Sequence, residues 1–161
     1  MKAFTEKVGG ACTFNRINMT TRASGCILLS EDTKRILLQL RRPDRRNKNF
    51  WGFWGGSGLE GELPIQTIER ELEEELGFLP DITKFYPIHK MVSNDESFEY
   101  DTFLATVPSE FTPQINDESE GYAWVNYDRY PVPLHPGAKL VLQNPRILSK
   151  IKTIVDQIDL D

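Results

Sequence analysis

Five of the seven residues from Glu69 to Glu75 are glutamates, and this acidic run constrains the fold more than any other stretch of the chain. Apolar side chains recur through it at helical spacing, and they are Ile65, Ile68, Leu72 and Leu76. Pro64 suits the first turn of such a helix, and Gly77 suits its end. We therefore predict an amphipathic helix over residues 65–76 that buries these apolar side chains in a core.

The glutamates divide between two faces of this helix. At about 100° per residue, Glu69 and Glu73 lie on the side away from the core, where water solvates them. Glu71, Glu74 and Glu75 stand at i, i+3 and i+4, so their carboxylates converge at a cost of about 0.2–0.5 kcal/mol for each repelling pair. A divalent cation would remove this repulsion, because hard cations such as Mg²⁺ take oxygen ligands. From spacing alone, a metal-binding face and an ordinary acidic surface both remain open.

The rest of the chain predicts a mixture of strands and helices. Strands are predicted at residues 23–30, 35–42, 82–92, 97–107 and 122–127, and further helices at residues 136–142 and 145–158. The first four strands form two hairpins around polar turns. The glycine-, arginine- and tryptophan-rich segment over residues 41–64 is predicted to be a loop. This order favours the α/β class, with a sheet flanked by helices.

Composition bounds the class of protein. The 161 residues suit a single domain over residues 1–161 with its own core. A net charge of -5 argues against a nucleic-acid coat, and the apolar runs are too short to span a membrane. The N-terminus lacks the apolar region of a signal peptide. Cys12 and Cys26 alone make neither a disulfide framework nor a zinc site, so we expect an intracellular, cytoplasmic protein.

A glycine-rich loop, WGFWGGSGLEGE, precedes the acidic helix. It matches neither the phosphate-binding P-loop pattern nor the dinucleotide fingerprint GxGxxG. Loop and helix together fit the pattern Gx5Ex7REUxEExGU, in which U is a bulky apolar residue. The matching residues are Gly56, Glu62, Arg70, Glu71, Leu72, Glu74, Glu75, Gly77 and Phe78. This segment resembles the Nudix box of the Nudix hydrolase family, and the resemblance extends over residues 23–134.

The resemblance implies an α/β/α sandwich with a mixed β-sheet and the hydrolysis of a nucleoside diphosphate linked to another group X. It also implies Mg²⁺, with Mn²⁺ as a substitute ion, because a cation must bridge the acidic face and a polyanionic pyrophosphate. The implied metal ligands are Glu71 and Glu75 first, then Glu74, together with the backbone carbonyl of Gly56.

The catalytic residues that the resemblance implies are Arg70, Glu71, Glu74 and Glu118. Arg70 is expected to orient the carboxylates through an ion pair, with a plain surface pair as the alternative. Glu62 is expected to be structural or to support the metal ligands, although in some family members it reaches a metal. Family members take their general base either from the box or from a later loop. In the segment NDESEG, Glu118 is the favoured late-loop base or extra metal ligand, Glu120 is its rival, and a solvated loop acid is the alternative for both.

Arginines beside the box are candidate phosphate ligands, because the guanidinium fork matches phosphate geometry. Arg41 and Arg42, at a strand end, are the favoured ones. The other basic residues are Arg45, Arg46 and Lys48, for which a solvated loop is equally expected. Trp54 is a candidate for stacking on a nucleobase, as are Trp51 and Phe53, although core packing is expected for at least one of these rings.

The substrate stays open at this point. ADP-ribose hydrolases of the family tend to have a proline about fifteen residues after the box, where this chain has Ser93 and Asn94. Nucleotide sugars, nucleoside triphosphates and dinucleoside polyphosphates all remain as small-molecule substrates. A catalytically silent Nudix domain that senses a nucleotide or binds a partner is an alternative, as is an interaction module without metal. Family members are often dimers, so a homodimer is one option for this chain.

Overall fold

The computed structural model describes residues 20–44 and 48–160, and in it a mixed seven-stranded sheet lies between helices. The strands are β1 (Thr21–Ser30), β2 (Ile36–Arg41), β3 (Trp51–Gly52), β4 (Trp54–Ser57), β5 (Lys84–Val92), β6 (Phe98–Val107) and β7 (Ser119–Val125). The helices are α1 (Pro64–Leu76), α2 (Pro136–Leu142) and α3 (Pro145–Ile158). The predicted acidic helix and the two predicted C-terminal helices are confirmed.

Strand β1 is the centre of the sheet. It pairs parallel with β6 along its whole length, from Thr21 opposite Phe98 to Ser30 opposite Val107. Strands β2 and β4 pair antiparallel with β1, while β3 and β7 pair with β2, and β5 pairs with β6. Parallel pairing needs a long crossover connection, and the chain between β1 and β6 uses that connection to place α1 against the sheet.

Two hydrophobic clusters show that both faces of the sheet are covered. Ile27 and Leu29 belong to the cluster that includes α2 and α3, whereas Cys26 and Leu28 belong to the cluster that includes α1. Because consecutive residues of β1 are buried on opposite faces, this strand is apolar without interruption rather than alternating. The α/β/α sandwich with a mixed sheet is therefore confirmed.

Helix α1 differs from its predicted apolar stripe at one position. Ile68, Leu72 and Leu76 are fully buried, but Ile65 is 36% exposed, so the prediction that Ile65 joins the core is wrong. The first turn is covered on another side, where Thr67 is buried beneath the backbone of Gly58. The helix ends as predicted at Gly77, which has a φ of 85°.

The segment over residues 41–64 is not a continuous loop, which corrects the prediction. It contains β3 and β4, and β4 pairs with β1 from Trp54 opposite Cys26 to Ser57 opposite Ala23. The sequence pattern does not reveal β4, because its glycines contribute no apolar side chains to an alternating pattern. Backbone hydrogen bonds to β1 hold this strand in the sheet. Strand β7 also begins earlier than predicted, at Ser119 rather than residue 122, since Ser119 pairs with Arg41 across a bulge in β2.

Within the described ranges, no helix is both long enough and apolar enough to cross a lipid bilayer. The assignment of residues 1–161 to a single domain stays a prediction. Cys26 is buried, and burial raises the pKa of its thiol far above the ordinary value, so it behaves as a small apolar core residue.

Candidate active site

Strand β4 and helix α1 meet at the glycines of the box. The backbone N–H of Gly55 donates a hydrogen bond of 2.9 Å to Oε1 of Glu75. A Cβ added to Gly56 would lie only 2.3 Å from Oε1 of Glu71, so only glycine allows this carboxylate to pass so close to the strand. The two glutamates that stand one helical turn apart are therefore both held against the backbone of β4.

Glu75 is the most buried carboxylate of the site. Glu75 is only 4% exposed, and this burial raises the pKa of its carboxyl to about 8. The N–H of Gly55 opposes this shift, whereas the charges of Glu71 and Glu118 increase it. Burial also raises the pKa of Glu71, with Arg70 acting in the opposite direction. These carboxylates lie close together with too little positive charge to balance them.

Arg70 is the centre of an ion-pair network on the edge of α1. Its Nε lies 2.8 Å from Oε2 of Glu62, its Nη1 lies 2.6 Å from Oε2 of Glu71, and its Nη2 donates to the carbonyl of Ser57 at 2.9 Å. Glu74, at i+4, is more distant at 3.6 Å, and its side chain is 58% exposed. Arg70 thus ties the Glu71 carboxylate to β4, which is the geometry expected of an orienting residue.

Glu62 anchors this arginine. Its pKa is lowered to about 2, chiefly by the hydrogen bond from Arg70 and then by those from the Leu59 N–H and the Thr67 hydroxyl. Its Oε1 accepts from Thr67 at 2.7 Å and from Leu59 at 2.9 Å. Both oxygens of Glu62 are occupied in this way, so its position agrees with the structural role expected from the sequence.

The loop before β7 is fastened to the C-terminal end of α1. The N–H of Gln114 donates to the carbonyl of Leu76 at 2.8 Å, and the side-chain amide of Asn116 donates to the carbonyl of Glu74 at 3.1 Å. Asn116 also accepts the N–H of Glu118 at 2.9 Å. Exposed backbone carbonyls at a helix end need such partners, and here they place a loop acid beside the box.

Glu118 and Glu120 occupy different surroundings. The charge of Glu118 raises the pKa values of both Glu71 and Glu75, so Glu118 lies near the box. Glu120 instead contacts the Asn49 side chain and lies 3.8 Å from Arg42. Within the described part of the chain, the Glu118 carboxylate has no hydrogen-bond partner. Proximity to the box therefore favours Glu118 over its rival.

The two arginines at the end of β2 also diverge. Arg42 contacts the carbonyl of Asp117 through Nε, and its N–H donates to the carbonyl of Glu118 at 3.0 Å, so it braces the late loop. Its assignment to the substrate stays a prediction. Arg41 forms no side-chain hydrogen bond or ion pair with any residue in the described ranges. Lys48 is exposed, and Arg45 and Arg46 lie outside the described residues.

Arg41 lines a cavity of about 120 Å³, and residues of β4 form one wall of this cavity. The lining residues are Arg41, Phe53, Trp54, Gly55, Gly56, Tyr100, His135 and Ala138. Tyr100 and His135 were not predicted from the sequence. Neither stands near the box along the chain, and only the pairing of β6 with β1 and the return of the chain before α2 bring them there.

The structure contradicts the prediction that Trp54 stacks on a nucleobase. Its side chain is fully buried between the sheet and α1, and its indole N–H donates to the carbonyl of Leu37 at 2.9 Å. No ring face is left for a ligand. Phe53 is buried on the other face of the sheet, and Trp51 packs against the same cluster, so core packing accounts for these rings.

The donor set of the site suits a hard divalent cation. Glu71, Glu74, Glu75 and Glu118 supply carboxylate oxygens, and Gly56 supplies a backbone carbonyl, which is the chemistry that Mg²⁺ and Mn²⁺ prefer. In residues 20–44 and 48–160, no three acidic, histidine or cysteine side chains already form a metal-ligating cluster. Arg70 and the Gly55 N–H each hold one carboxylate oxygen, which leaves the second oxygen of Glu71 and of Glu75 for a cation.

Two curated proteins are similar to part of this chain. An RNA pyrophosphohydrolase from Francisella tularensis is 31% identical over 80 residues, which cover 50% of this chain and 46% of that protein. An octanoyltransferase from Myxococcus xanthus is 30% identical over 96 residues, which cover 57% of this chain and 26% of that protein. The chain thus spans less than half the length of either relative.

Solved structures share the fold. A MutT Nudix hydrolase from Burkholderia pseudomallei superposes with a TM-score of 0.64 at 23% identity and covers 80% of this chain and 99% of its own. A Nudix hydrolase from M. smegmatis superposes with a TM-score of 0.63 at 22% identity and covers 82% of this chain and 86% of its own. The family model described as NUDIX domain matches residues 19–144. The chain belongs to the NUDIX domain family.

Proposed function

We propose that this protein is a divalent-metal-dependent pyrophosphohydrolase that cleaves the phosphoanhydride bond of a nucleoside diphosphate linked to another group. The observation that carries the proposal is the convergence of Glu71 and Glu75 on the backbone of β4, with Glu118 near them. The name of the Francisella relative, an RNA pyrophosphohydrolase, supports this class of reaction.

The carboxylates of Glu71, Glu75 and Glu74, with the carbonyl of Gly56, are the groups that would hold the metal. When bound, Mg²⁺ or Mn²⁺ would offset the negative charge of the pyrophosphate and polarise the attacked phosphorus. Arg70 keeps the carboxylate of Glu71 in a fixed orientation through its contact of 2.6 Å. Such positioning matters because a small displacement of a metal ligand weakens both binding and reaction.

Glu118 is our choice for the group that takes the proton of the attacking water. Its carboxylate is exposed to solvent, lies near Glu71 and Glu75, and has no hydrogen-bond partner within the described ranges. Its backbone is fixed by Asn116 and Arg42, so the side chain extends from an anchored loop. Arg41, whose guanidinium has no partner there, is our choice for binding substrate phosphates.

Chromatographic product analysis tests the proposed function, because hydrolysis of a nucleotide sugar or a dinucleoside polyphosphate releases no inorganic phosphate. The panel comprises a nucleoside triphosphate, a nucleotide sugar and a dinucleoside polyphosphate with Mg²⁺, and water labelled with ¹⁸O identifies the attacked phosphorus. We expect at least one substrate to be cleaved by the wild type and by Glu73→Gln, which changes an exposed glutamate of the same helix. Glu75→Gln should lose most of this activity. Equal rates for Glu75→Gln and wild type would contradict the proposal, and binding without turnover would indicate a silent domain.

A cytoplasmic location and a homodimeric assembly remain proposals as well. They rest on the composition of the chain and on the family resemblance.

A further inference from the structure

The cavity beside β4 is lined by hydrogen-bond donors. Arg41 contributes a guanidinium, and Tyr100 and His135 contribute a hydroxyl and an imidazole. Of the described lining residues, none is acidic. The cavity shares Gly55 and Gly56 with the carboxylate site, because these glycines contact Glu75 and Glu71 from the same strand. A group in the cavity would therefore lie next to the proposed reaction centre.

The Tyr100 side chain fits into the cavity because two of its neighbours, Gly25 and Gly137, have no side chain. A Cβ added to Gly25 would lie 2.2 Å from the Tyr100 hydroxyl, and one added to Gly137 would lie 3.4 Å from it. The hydroxyl thus lies between the backbones of β1 and α2. It makes no hydrogen bond within the described part of the chain, so it is free to donate to a group in the cavity. Burial raises the pKa of Tyr100 to about 12, so the hydroxyl keeps its proton at neutral pH.

His135 is oriented by the start of α2. Its Nδ1 accepts the N–H of Gly137 at 3.2 Å, so the neutral ring carries its proton on Nε2. Its own backbone N–H donates to the carbonyl of Trp51 at 2.7 Å. Gly52 lets the ring approach, because a Cβ there would lie 3.2 Å from Cβ of His135. The imidazole is therefore fixed as a donor rather than an acceptor.

A positive charge and two neutral donors, with no acidic lining residue, match the oxygens of an anion. The cavity volume of about 120 Å³ suits one phosphate group better than a hexose ring. We propose that Arg41, Tyr100 and His135 bind the terminal phosphate of a triphosphate, so that this protein prefers substrates with a triphosphate chain over nucleotide sugars. The proposal rests on the proposed function, because it assigns the substrate of the same site.

Selectivity for triphosphates over a nucleotide sugar tests the proposal. The value of kcat/KM is measured for a nucleoside triphosphate, an RNA oligonucleotide with a 5′-triphosphate, and a nucleoside diphosphate sugar. We expect Tyr100→Phe, which removes only the hydroxyl, to lower the preference for triphosphates over the sugar derivative by roughly tenfold, the effect of losing one hydrogen bond to a charged group. Tyr86→Phe, which removes a hydroxyl on β5, should leave the preference unchanged. The two triphosphates distinguish a free nucleotide from an RNA end.

His135→Asn is a second variant, which tests the same pocket even if Tyr100→Phe does not fold. Asparagine retains the N-cap acceptor of α2 but removes the imidazole Nε2 donor, so selectivity should fall while the melting temperature stays close to that of wild type. An unchanged preference in both Tyr100→Phe and His135→Asn would overturn the proposal. So would a wild-type preference for the nucleotide sugar.

Binding measurements separate this proposal from the proposed function. Calorimetry with Ca²⁺ in place of Mg²⁺ compares the same triphosphate and nucleotide sugar. Tighter binding of the triphosphate that is weakened in Tyr100→Phe supports the phosphate pocket even if the wild type hydrolyses nothing, in which case only the proposed function fails. Hydrolysis that depends on Glu75, combined with triphosphate binding that is indifferent to Tyr100→Phe, would uphold the proposed function and overturn the pocket.

Discussion

Gly56 and Glu71 approach so closely that a methyl group on Gly56 would lie 2.3 Å from Oε1 of the glutamate. The same carboxylate is held from its other side by Arg70, at 2.6 Å. Gly56 thus leaves the room that the carboxylate of Glu71, our proposed metal ligand, needs to reach the strand. This contact links a backbone requirement of β4 to the chemistry of α1.

Gly56→Ala should therefore displace Glu71 and remove most of the metal-dependent hydrolysis, while the sheet remains folded. Circular dichroism measures the fold, and product analysis measures the hydrolysis. Gly121→Ala is the matched control, because a Cβ there would meet nothing closer than Leu40 at 4.0 Å. Full activity in Gly56→Ala would mean that the position of Glu71 does not matter.

Arg70→Lys should lower kcat by about 10–100-fold, the usual cost of losing a group that orients a metal ligand. Lysine is a point charge and cannot hold Glu62, Glu71 and the Ser57 carbonyl together as the guanidinium does. Steady-state kinetics at saturating Mg²⁺ measures the loss. If the variant reaches the wild-type rate in excess Mn²⁺, the orienting role of Arg70 is wrong.

The metal-free protein should lose stability as pH rises, because the folded pKa of Glu75 is about 8, above its ordinary value of 4.5. Below pH 4.5 the carboxyl is protonated in both states. Between these values the folded state retains a proton that the unfolded state releases, so the free energy of unfolding falls with pH until the folded carboxyl ionises. Chemical denaturation with a chelator at pH 5 and pH 8 measures this. Glu75→Gln should flatten the slope, and an equal slope in both proteins would contradict the raised pKa.

Glu118→Gln should reduce kcat by about 10²–10⁴-fold if Glu118 is the general base, and steady-state kinetics measures the loss. Glu120→Gln is the control, since its carboxylate is held by Asn49 and Arg42. A larger defect in Glu120→Gln than in Glu118→Gln would reverse the assignment.

The box and the sandwich could be predicted from local information. Glu71 and Glu75 are one helical turn apart, so the sequence determines that their carboxylates lie on one face whatever the rest of the fold. The exposure of Ile65 was not predictable in this way, because periodicity does not show where the sheet contacts the first turn. The burial of Trp54 depends on the short strand β4, whose glycines leave no alternation of apolar and polar side chains to recognise in the sequence.

Tyr100 and His135 could not be found from the sequence for a different reason. Their meeting depends on pairing between β1 and β6 and on backbone bonds between His135 and Trp51, which are contacts between distant parts of the chain. Neither residue has a spacing that distinguishes it from an ordinary strand tyrosine or helix-capping histidine. Glycines at positions 25 and 52 provide the room, and their role is visible only once the neighbours are known.

Electron paramagnetic resonance of Mn²⁺, titrated into the protein with a nucleotide present, measures whether the carboxylates of α1 bind the metal. We predict that wild type and Glu73→Gln sequester Mn²⁺ with similar affinity, because Glu73 is exposed on the opposite face. Glu71→Gln and Glu75→Gln should each weaken binding at least tenfold, on the order of one lost ligand. If all four proteins bind Mn²⁺ equally tightly, Glu71 and Glu75 are not metal ligands.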